Sequence, residues 1–156
     1  MSNIKLPRVN TKLLILNHQL GLTIIELLVI IVIISTIGIL SISFYSRFLN
    51  QNSVKNTQNQ IVGSLRKAQI YSMMGKQGGT WGVKYESNKI TLYLSNNNAF
   101  DESFDINNNV TIYGFTNVLF AKTTGLPNTT GDITISSAID TKKININSQG
   151  VVSKIN

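Results

Sequence analysis

The run Leu27–Ser46 most constrains this chain, because its twenty consecutive residues carry no charged side chain. At a rise of ~1.5 Å per residue, a helix of that length spans ~30 Å, the hydrocarbon thickness of a bilayer. The first eight residues are aliphatic on every helical face, so lipid or equally apolar helices must surround them. Small and weakly polar residues follow and permit close helix–helix approach. We therefore predict a transmembrane helix over residues 22–46.

The segment before this helix predicts its orientation. Lys5, Arg8 and Lys12 stand there without any acid, and such an excess places the N-terminus in the cytoplasm. An ordinary secretory signal would be cut after its apolar run, yet Ser41-Ile42-Ser43 matches that kind of site poorly. We expect a single-pass protein of the cytoplasmic (inner) membrane, whose C-terminal domain is exported to the periplasm or cell surface.

Composition argues against catalysis. The chain has no cysteine, and its one histidine, His18, lies in the basic leader. We expect His18 to be removed with that leader, and without cysteine or histidine a catalytic triad or a zinc centre cannot be built in the rest of the chain, so we expect no enzyme, no cofactor and no metal. The leader carries three of the fourteen basic side chains, which leaves eleven against seven acids, or +4. This mild charge permits attraction to anionic polymers or lipids.

Beyond Ser46 the helical pattern becomes amphipathic. Apolar residues recur at helical spacing at Val54, Ile61, Leu65 and Ala68, and no proline interrupts residues 22–74. We predict one long helix, weakened by propensity at residues 56–60 and ended by the glycines at positions 75, 78 and 79. Its membrane half covers residues 22–46 and its amphipathic half residues 47–75, after the basic N-terminal segment at residues 1–21.

Residues 76–156 predict an exported β domain. Period-two alternation over residues 81–85 and 89–94 around Ser87-Asn88 predicts a hairpin. A second pair is predicted at residues 110–113 and 117–120 around Gly114, and three more strands at 132–136, 142–146 and 151–155. The polar segments 96–109 and 123–130 are predicted loops. The fold class is therefore α+β, with small antiparallel sheets packed on the amphipathic half of the helix.

Glu26 stands at the very start of the membrane segment. An unpaired charge at that depth costs ~2.5–3.5 kcal/mol on translocon scales, so a partner should neutralise it. An amine freed by cleavage between Gly21 and Leu22 is the natural candidate. The run Gly21-Leu22-Thr23-Ile24-Ile25-Glu26, between a basic leader and an uncut apolar helix, resembles the class III signal of type IV prepilins and type II secretion pseudopilins.

This resemblance implies a pilin-like fold and a set of roles. Prepilin peptidase would cut after Gly21, Leu22 would become the N-methylated N-terminus, and Glu26 would pair with the N-terminal amine of an adjacent subunit during assembly. Many major pilins have a proline midway along the membrane helix, where this chain has Ser43, and phenylalanine in place of Leu22. Both departures favour a minor pilin.

The C-terminal part resembles the GspH/FimT group of minor pseudopilins. The resemblance rests on strand-and-turn motifs, which a generic small β domain also contains. They are Trp81-Gly82-Val83, Val118-Leu119-Phe120 before Gly125, Gly131-Asp132-Ile133-Thr134-Ile135, Ile144-Asn145-Ile146 and Gly150-Val151-Val152.

Two further groups of residues invite a binding hypothesis. Asp101, Glu102 and Asp105 offer oxygen ligands to calcium, which some major pseudopilins bind, but their spacing matches no EF-hand. Lys142, Lys143 and Lys154 are candidate DNA contacts, since some FimT-like pilins bind DNA near the C-terminus. Lysines on edge strands more commonly serve solubility and block edge pairing.

The favoured hypothesis is a minor pilin or pseudopilin subunit of a type II secretion pseudopilus or type IV pilus, which helps initiate the filament or contacts cargo. Its implied partners are prepilin peptidase, other pilin subunits, the assembly platform and ATPase, the membrane, and secreted cargo or DNA. One alternative is a DNA-binding minor pilin of a competence system. Another is a signal-anchored surface protein that never polymerises.

Overall fold

The computed structural model describes residues 21–155, except for the side chains of Leu40 and Ser43. A single helix, α1, runs over Ile24–Met73, as the uninterrupted helical pattern predicts, and the weak patch at residues 56–60 stays helical. The chain divides into two compact units between Ile39 and Leu40. After Met73 the chain enters Gly75 at φ 61°, a left-handed conformation that glycine adopts without steric cost and that ends the helix.

Eight strands follow a short 3₁₀ turn at Lys76–Gly78 and form two four-stranded antiparallel sheets. The strands are β1 Trp81–Glu86, β2 Lys89–Leu94, β3 Asn97–Asp105, β4 Thr111–Tyr113, β5 Asn117–Phe120, β6 Gly131–Ser136, β7 Thr141–Ile146 and β8 Val152–Ile155. The first sheet has the order β3-β2-β1-β5 and the second the order β4-β6-β7-β8.

The predicted hairpin of β1 and β2 is confirmed. Glu86 pairs with Lys89, and the two residues between them, Ser87 and Asn88, have φ of 51° and 61°. Positive φ at both central residues is what a type I′ turn requires, and that turn matches the right-handed twist of the flanking strands.

The second predicted pair is wrong. β4 pairs with β6 in one sheet, while β5 pairs with β1 in the other. The three residues between them carry the chain across, and the middle one, Phe115, is buried. Alternation identified both strands but not their partners, because each strand joined a sheet edge that sequence neighbours do not specify.

The segment 96–109 was predicted as a loop, which is also wrong. β3 occupies Asn97–Asp105 as an edge strand against β2, with an irregular register between Leu92 and Leu94. Most of its side chains are exposed, and an exposed edge strand can have the same polar composition as a loop. Charged side chains on such an edge discourage pairing with other chains.

The core lies between the amphipathic part of α1 and the sheets. Val54, Ile61, Leu65 and Ala68 are all buried, as their helical spacing predicted. Trp81 and Phe120 are the largest fully buried side chains, and they lie opposite each other in the β1–β5 register. The other buried apolar residues come from α1, from both sheets and from their connections: Val62, Val83, Ile90, Leu92, Leu94, Ile106, Val110, Ile112, Phe115, Val118, Ile133, Ile135, Ile144, Ile146 and Val152.

One side chain of α1 forms hydrogen bonds to two loops. The Gln69 amide nitrogen donates to the carbonyl oxygens of Gly125, at 3.2 Å, and Gln149, at 3.3 Å. Gly150 follows directly with φ of 78°, and a Cβ there would lie 2.4 Å from the Gln69 amide nitrogen and 2.8 Å from the Gly125 oxygen. A side chain at position 150 would therefore have to displace the Gln69 amide and the Gly125 backbone, which glycine avoids.

We expect Gly150→Ala to lower the free energy of unfolding by ~1–3 kcal/mol, because a left-handed non-glycine residue is strained and its Cβ meets backbone. Gly63→Ala is the matched control. Gly63 is helical and exposed, and a Cβ placed there would meet nothing within 4 Å. Alanine at this position should therefore raise the free energy of unfolding by ~0.5–1 kcal/mol. Denaturant unfolding of the full chain in detergent, followed by Trp81 fluorescence, measures both. Equal effects of the two substitutions would contradict this account of the loops.

Candidate functional site

The predicted cleavage junction lies immediately before the helix. Gly21, Leu22 and Thr23 have no regular secondary structure and are exposed. A Cβ at Gly21 would meet nothing within 4 Å, so the absence of a side chain there leaves the peptide bond open. The leader residues Lys5, Arg8, Lys12 and His18 lie outside the described part of the chain.

Thr23 caps the helix. Its side-chain oxygen accepts a hydrogen bond from the backbone N–H of Glu26 at 3.3 Å, and its carbonyl accepts one from Leu27 at 3.1 Å. Threonine followed three residues later by glutamate is the capping-box pattern. Thr23 therefore has a local role in starting the helix, besides its place in the predicted processing signal. The cap fixes the helix start two residues after the predicted cut.

Glu26 is exposed on the first turn of α1. The positive end of the helix dipole stabilises a carboxylate there by ~0.3–1 kcal/mol. Within residues 21–155, no basic side chain forms an ion pair with Glu26. The carboxylate is therefore available to a partner outside these described residues, and in apolar surroundings it requires one.

The part of α1 that follows Glu26 presents an apolar surface. Large side chains from Leu27 to Ile39 are at least a third exposed, and the described residues contain one helix long and apolar enough to cross a membrane. The Thr36 hydroxyl donates to the Val32 carbonyl at 2.7 Å, which satisfies its polar group within the helix. A Cβ at Gly38 would meet nothing, so another helix can approach closely there.

The three candidate DNA contacts lie on the β7–β8 pair but do not share a face. Lys143 pairs with Ile155, whereas Lys154 pairs with the buried Ile144 and so lies on the opposite, inner face. The Lys154 amine donates to the Asn59 side chain at 2.6 Å. Lys142 also lies on the inner side, since alternate residues of a strand share a face. DNA binding by these lysines stays a prediction.

The acidic group lies on β3, and two of its members have basic partners. Glu102 accepts from the Lys67 amine at 2.7 Å, and this hydrogen bond raises the pKa of Lys67 above its ordinary value. Asp105 lies 3.4 Å from the Lys89 amine. Among residues 21–155, no three acidic, histidine or cysteine side chains are grouped to hold a metal ion.

The sequence matches no protein-family model and no curated protein sequence. A search of solved structures finds the minor pseudopilin EpsH from the type 2 secretion system of Vibrio cholerae. The match has a TM-score of 0.50 at 9% identity and covers 66% of this chain and 96% of that one. Identity this low establishes the fold alone, a long N-terminal helix with a small antiparallel β domain, as predicted from the sequence.

Proposed function

We propose that this chain is a minor pilin-like subunit of the GspH/FimT type, which is processed between Gly21 and Leu22 and assembles into a type II secretion pseudopilus or a type IV pilus. It is a structural subunit and carries no catalytic activity. The β domain, exported to the far side of the membrane, lies at the filament surface or tip, where it initiates assembly or contacts secreted cargo.

The observation that carries this proposal is the arrangement at the start of α1. An exposed glycine junction precedes a threonine-capped helix, Glu26 stands on the first turn with no ion-pair partner among residues 21–155, and an exposed apolar surface follows. A plain membrane anchor needs none of the first three features. The pseudopilin-like fold supports the same conclusion independently.

The proposed steps combine the charges and apolar run of this chain with what its resemblance to prepilins implies. Lys5, Arg8 and Lys12 hold the N-terminus in the cytoplasm, where prepilin peptidase cuts after Gly21 at the membrane surface. Leu22 becomes the N-terminus and is N-methylated. The apolar part of α1 retains the subunit in the membrane until the assembly platform and its ATPase extract it. In the filament, Glu26 meets the N-terminal amine of the adjacent subunit, and apolar helices surround both groups.

The test is the mass of the membrane-extracted protein in wild type and in Gly21→Val. We expect wild type to begin at Leu22, with one added methyl group, and the variant to retain residues 1–21, because a β-branched side chain hinders the bond that Gly21 leaves open. Gly38→Val is the matched control, since Gly38 is also exposed with open space around it but lies within α1. This control should be cut normally.

An intact Met1 in wild type, or a cut elsewhere, would rule out processing as a prepilin and leave a signal-anchored β domain. DNA binding on the same scaffold is a separate question. Phosphate contacts make such binding steeply salt-dependent, so loss of that binding on neutralising Lys142 and Lys143 would favour a competence role.

A further inference from the structure

A band of aromatic side chains on α1 is left uncovered by the β domain. Phe44, Tyr45 and Phe48 are 73%, 65% and 58% exposed, and Arg47 and Leu49 beside them are exposed as well. We call residues 44–49 the aromatic band. Contiguous exposed apolar surface of this kind marks an interaction site in a soluble protein or a membrane contact.

The β domain meets the helix only beyond this band. Its first contacts are polar, from the Asn109 amide to the Asn50 side chain and from the Asn107 amide to the Ser53 hydroxyl, both at 3.4 Å. The first fully buried helix residue is Val54. Amide and hydroxyl groups therefore separate the aromatic band from the core, and no residue between 21 and 155 covers the aromatic side chains of the band.

The dimensions of the band match the boundary layer of a bilayer. The band overlaps the last three residues of the uncharged run Leu27–Ser46 and continues for three residues beyond it. Its six residues rise ~7.5 Å along the helix from first to last. The interfacial layer on each side of a ~30 Å hydrocarbon core is ~5–8 Å thick. Aromatic side chains are enriched in that layer, where their apolar bodies and polar edges are both accommodated.

Charge distinguishes lipid from a second copy of the helix as the occupant. Among residues 21–155, Arg47 forms no ion pair, and the acids nearest to it in the sequence are Glu26 and Glu86. A guanidinium packed into an apolar helix–helix contact without an acid would be costly, whereas headgroup phosphates bind it bidentately. The band is also broad, because Tyr45 is displaced from Phe44 by ~100° around the helix.

We infer that the aromatic band lies in the phospholipid headgroup boundary on the exported side of the membrane and sets the height at which the β domain stands above it. This inference rests on the proposed membrane residence of the subunit before assembly. It adds the position of the membrane boundary and the side chains that define it.

The test uses spin labels on single cysteines in the full chain, which has no native cysteine. Labels at Tyr45→Cys and Phe48→Cys are compared in phosphatidylcholine/phosphatidylglycerol vesicles by their collisions with oxygen and with a water-soluble nickel complex. Ile33→Cys serves as the hydrocarbon reference and Gln60→Cys, exposed on α1 beside the β domain, as the aqueous one. A label at Ser46→Cys leaves every aromatic side chain in place and must report the same depth.

We expect the labels at 45, 46 and 48 to lie ~13–17 Å from the bilayer centre, at the edge of the hydrocarbon and between the two references. Nickel accessibility equal to that at Gln60, with Ile33 in hydrocarbon, would overturn the inference and leave the membrane proposal standing. Shielding from both agents with dipolar broadening between copies would also overturn it, in favour of a second helix as occupant. Nickel access at Ile33 would overturn the membrane proposal as well.

Discussion

Phe120→Ala is expected to lower the free energy of unfolding by ~3–5 kcal/mol, the largest effect on stability predicted for this chain. Phe120 is fully buried and lies opposite Trp81 across the β1–β5 pair, so truncation removes apolar contacts and leaves a cavity between the sheet and α1. A small domain without disulfides has a net stability of only ~5–15 kcal/mol, so the variant loses a large fraction of it. Denaturant unfolding of the full chain in detergent measures the change.

Phe100→Ala is the matched control, because it makes the same chemical change on the edge strand β3. Phe100 is 40% exposed, and its removal should alter stability by no more than ~0.5 kcal/mol. A cost at position 100 equal to that at position 120 would mean that β3 packs more tightly than the structure shows. An unchanged midpoint for Phe120→Ala would contradict the assignment of β5 to the first sheet.

Local signals predicted the elements that local physics determines. The helix could be predicted because Ile61, Leu65 and Ala68 recur at helical spacing and because Gly75 permits the left-handed conformation that ends the helix. The β1–β2 hairpin could also be predicted from a local pattern, since two residues with positive φ separate two runs of alternating apolar and polar residues.

Pairing between distant strands could not be predicted in this way. β5 is joined to β1 through register partners such as Trp81 and Phe120, thirty-nine positions apart, and nothing near Gly114 indicates that the chain leaves one sheet for the other. β3 was missed because an edge strand with few buried side chains has the composition of a loop. Such contacts are specified by the whole core and not by any one segment.

The candidate site was located by sequence spacing, and its part in processing and assembly stays a prediction. Gly21, Leu22 and Glu26 were singled out as a processing and assembly signal, and the structure adds the geometry of that signal: an open junction, a Thr23 cap and an exposed carboxylate. The threonine–glutamate pattern at positions 23 and 26 was itself a readable capping signal. In the proposed function the partner of Glu26 is the N-terminal amine of another subunit, so the contact forms only on assembly.

Glu26→Gln is expected to reduce incorporation of the subunit into filaments by at least ~100-fold, while processing at Gly21 and membrane insertion continue. Removing one member of a buried ion pair costs ~3–5 kcal/mol, since the amine at Leu22 would be left unpaired among apolar helices. The helix start should survive, because Thr23 bonds the backbone N–H of residue 26 and not its carboxylate. The amount of subunit in sheared filaments, divided by the amount in membranes, measures the effect.

Two comparisons separate a docking role for Glu26 from a general effect of charge. Glu86→Gln removes an exposed carboxylate from β1 and should leave incorporation unchanged. A zero-length carbodiimide reagent should join the Leu22 amine of one subunit to Glu26 of its neighbour in the parent protein and fail to do so in Glu26→Gln. The lost dipole interaction, ~0.3–1 kcal/mol, is too small to account for a hundredfold defect. Normal incorporation of Glu26→Gln would therefore show that the carboxylate has no part in docking, and its burial in the filament would then require a different partner.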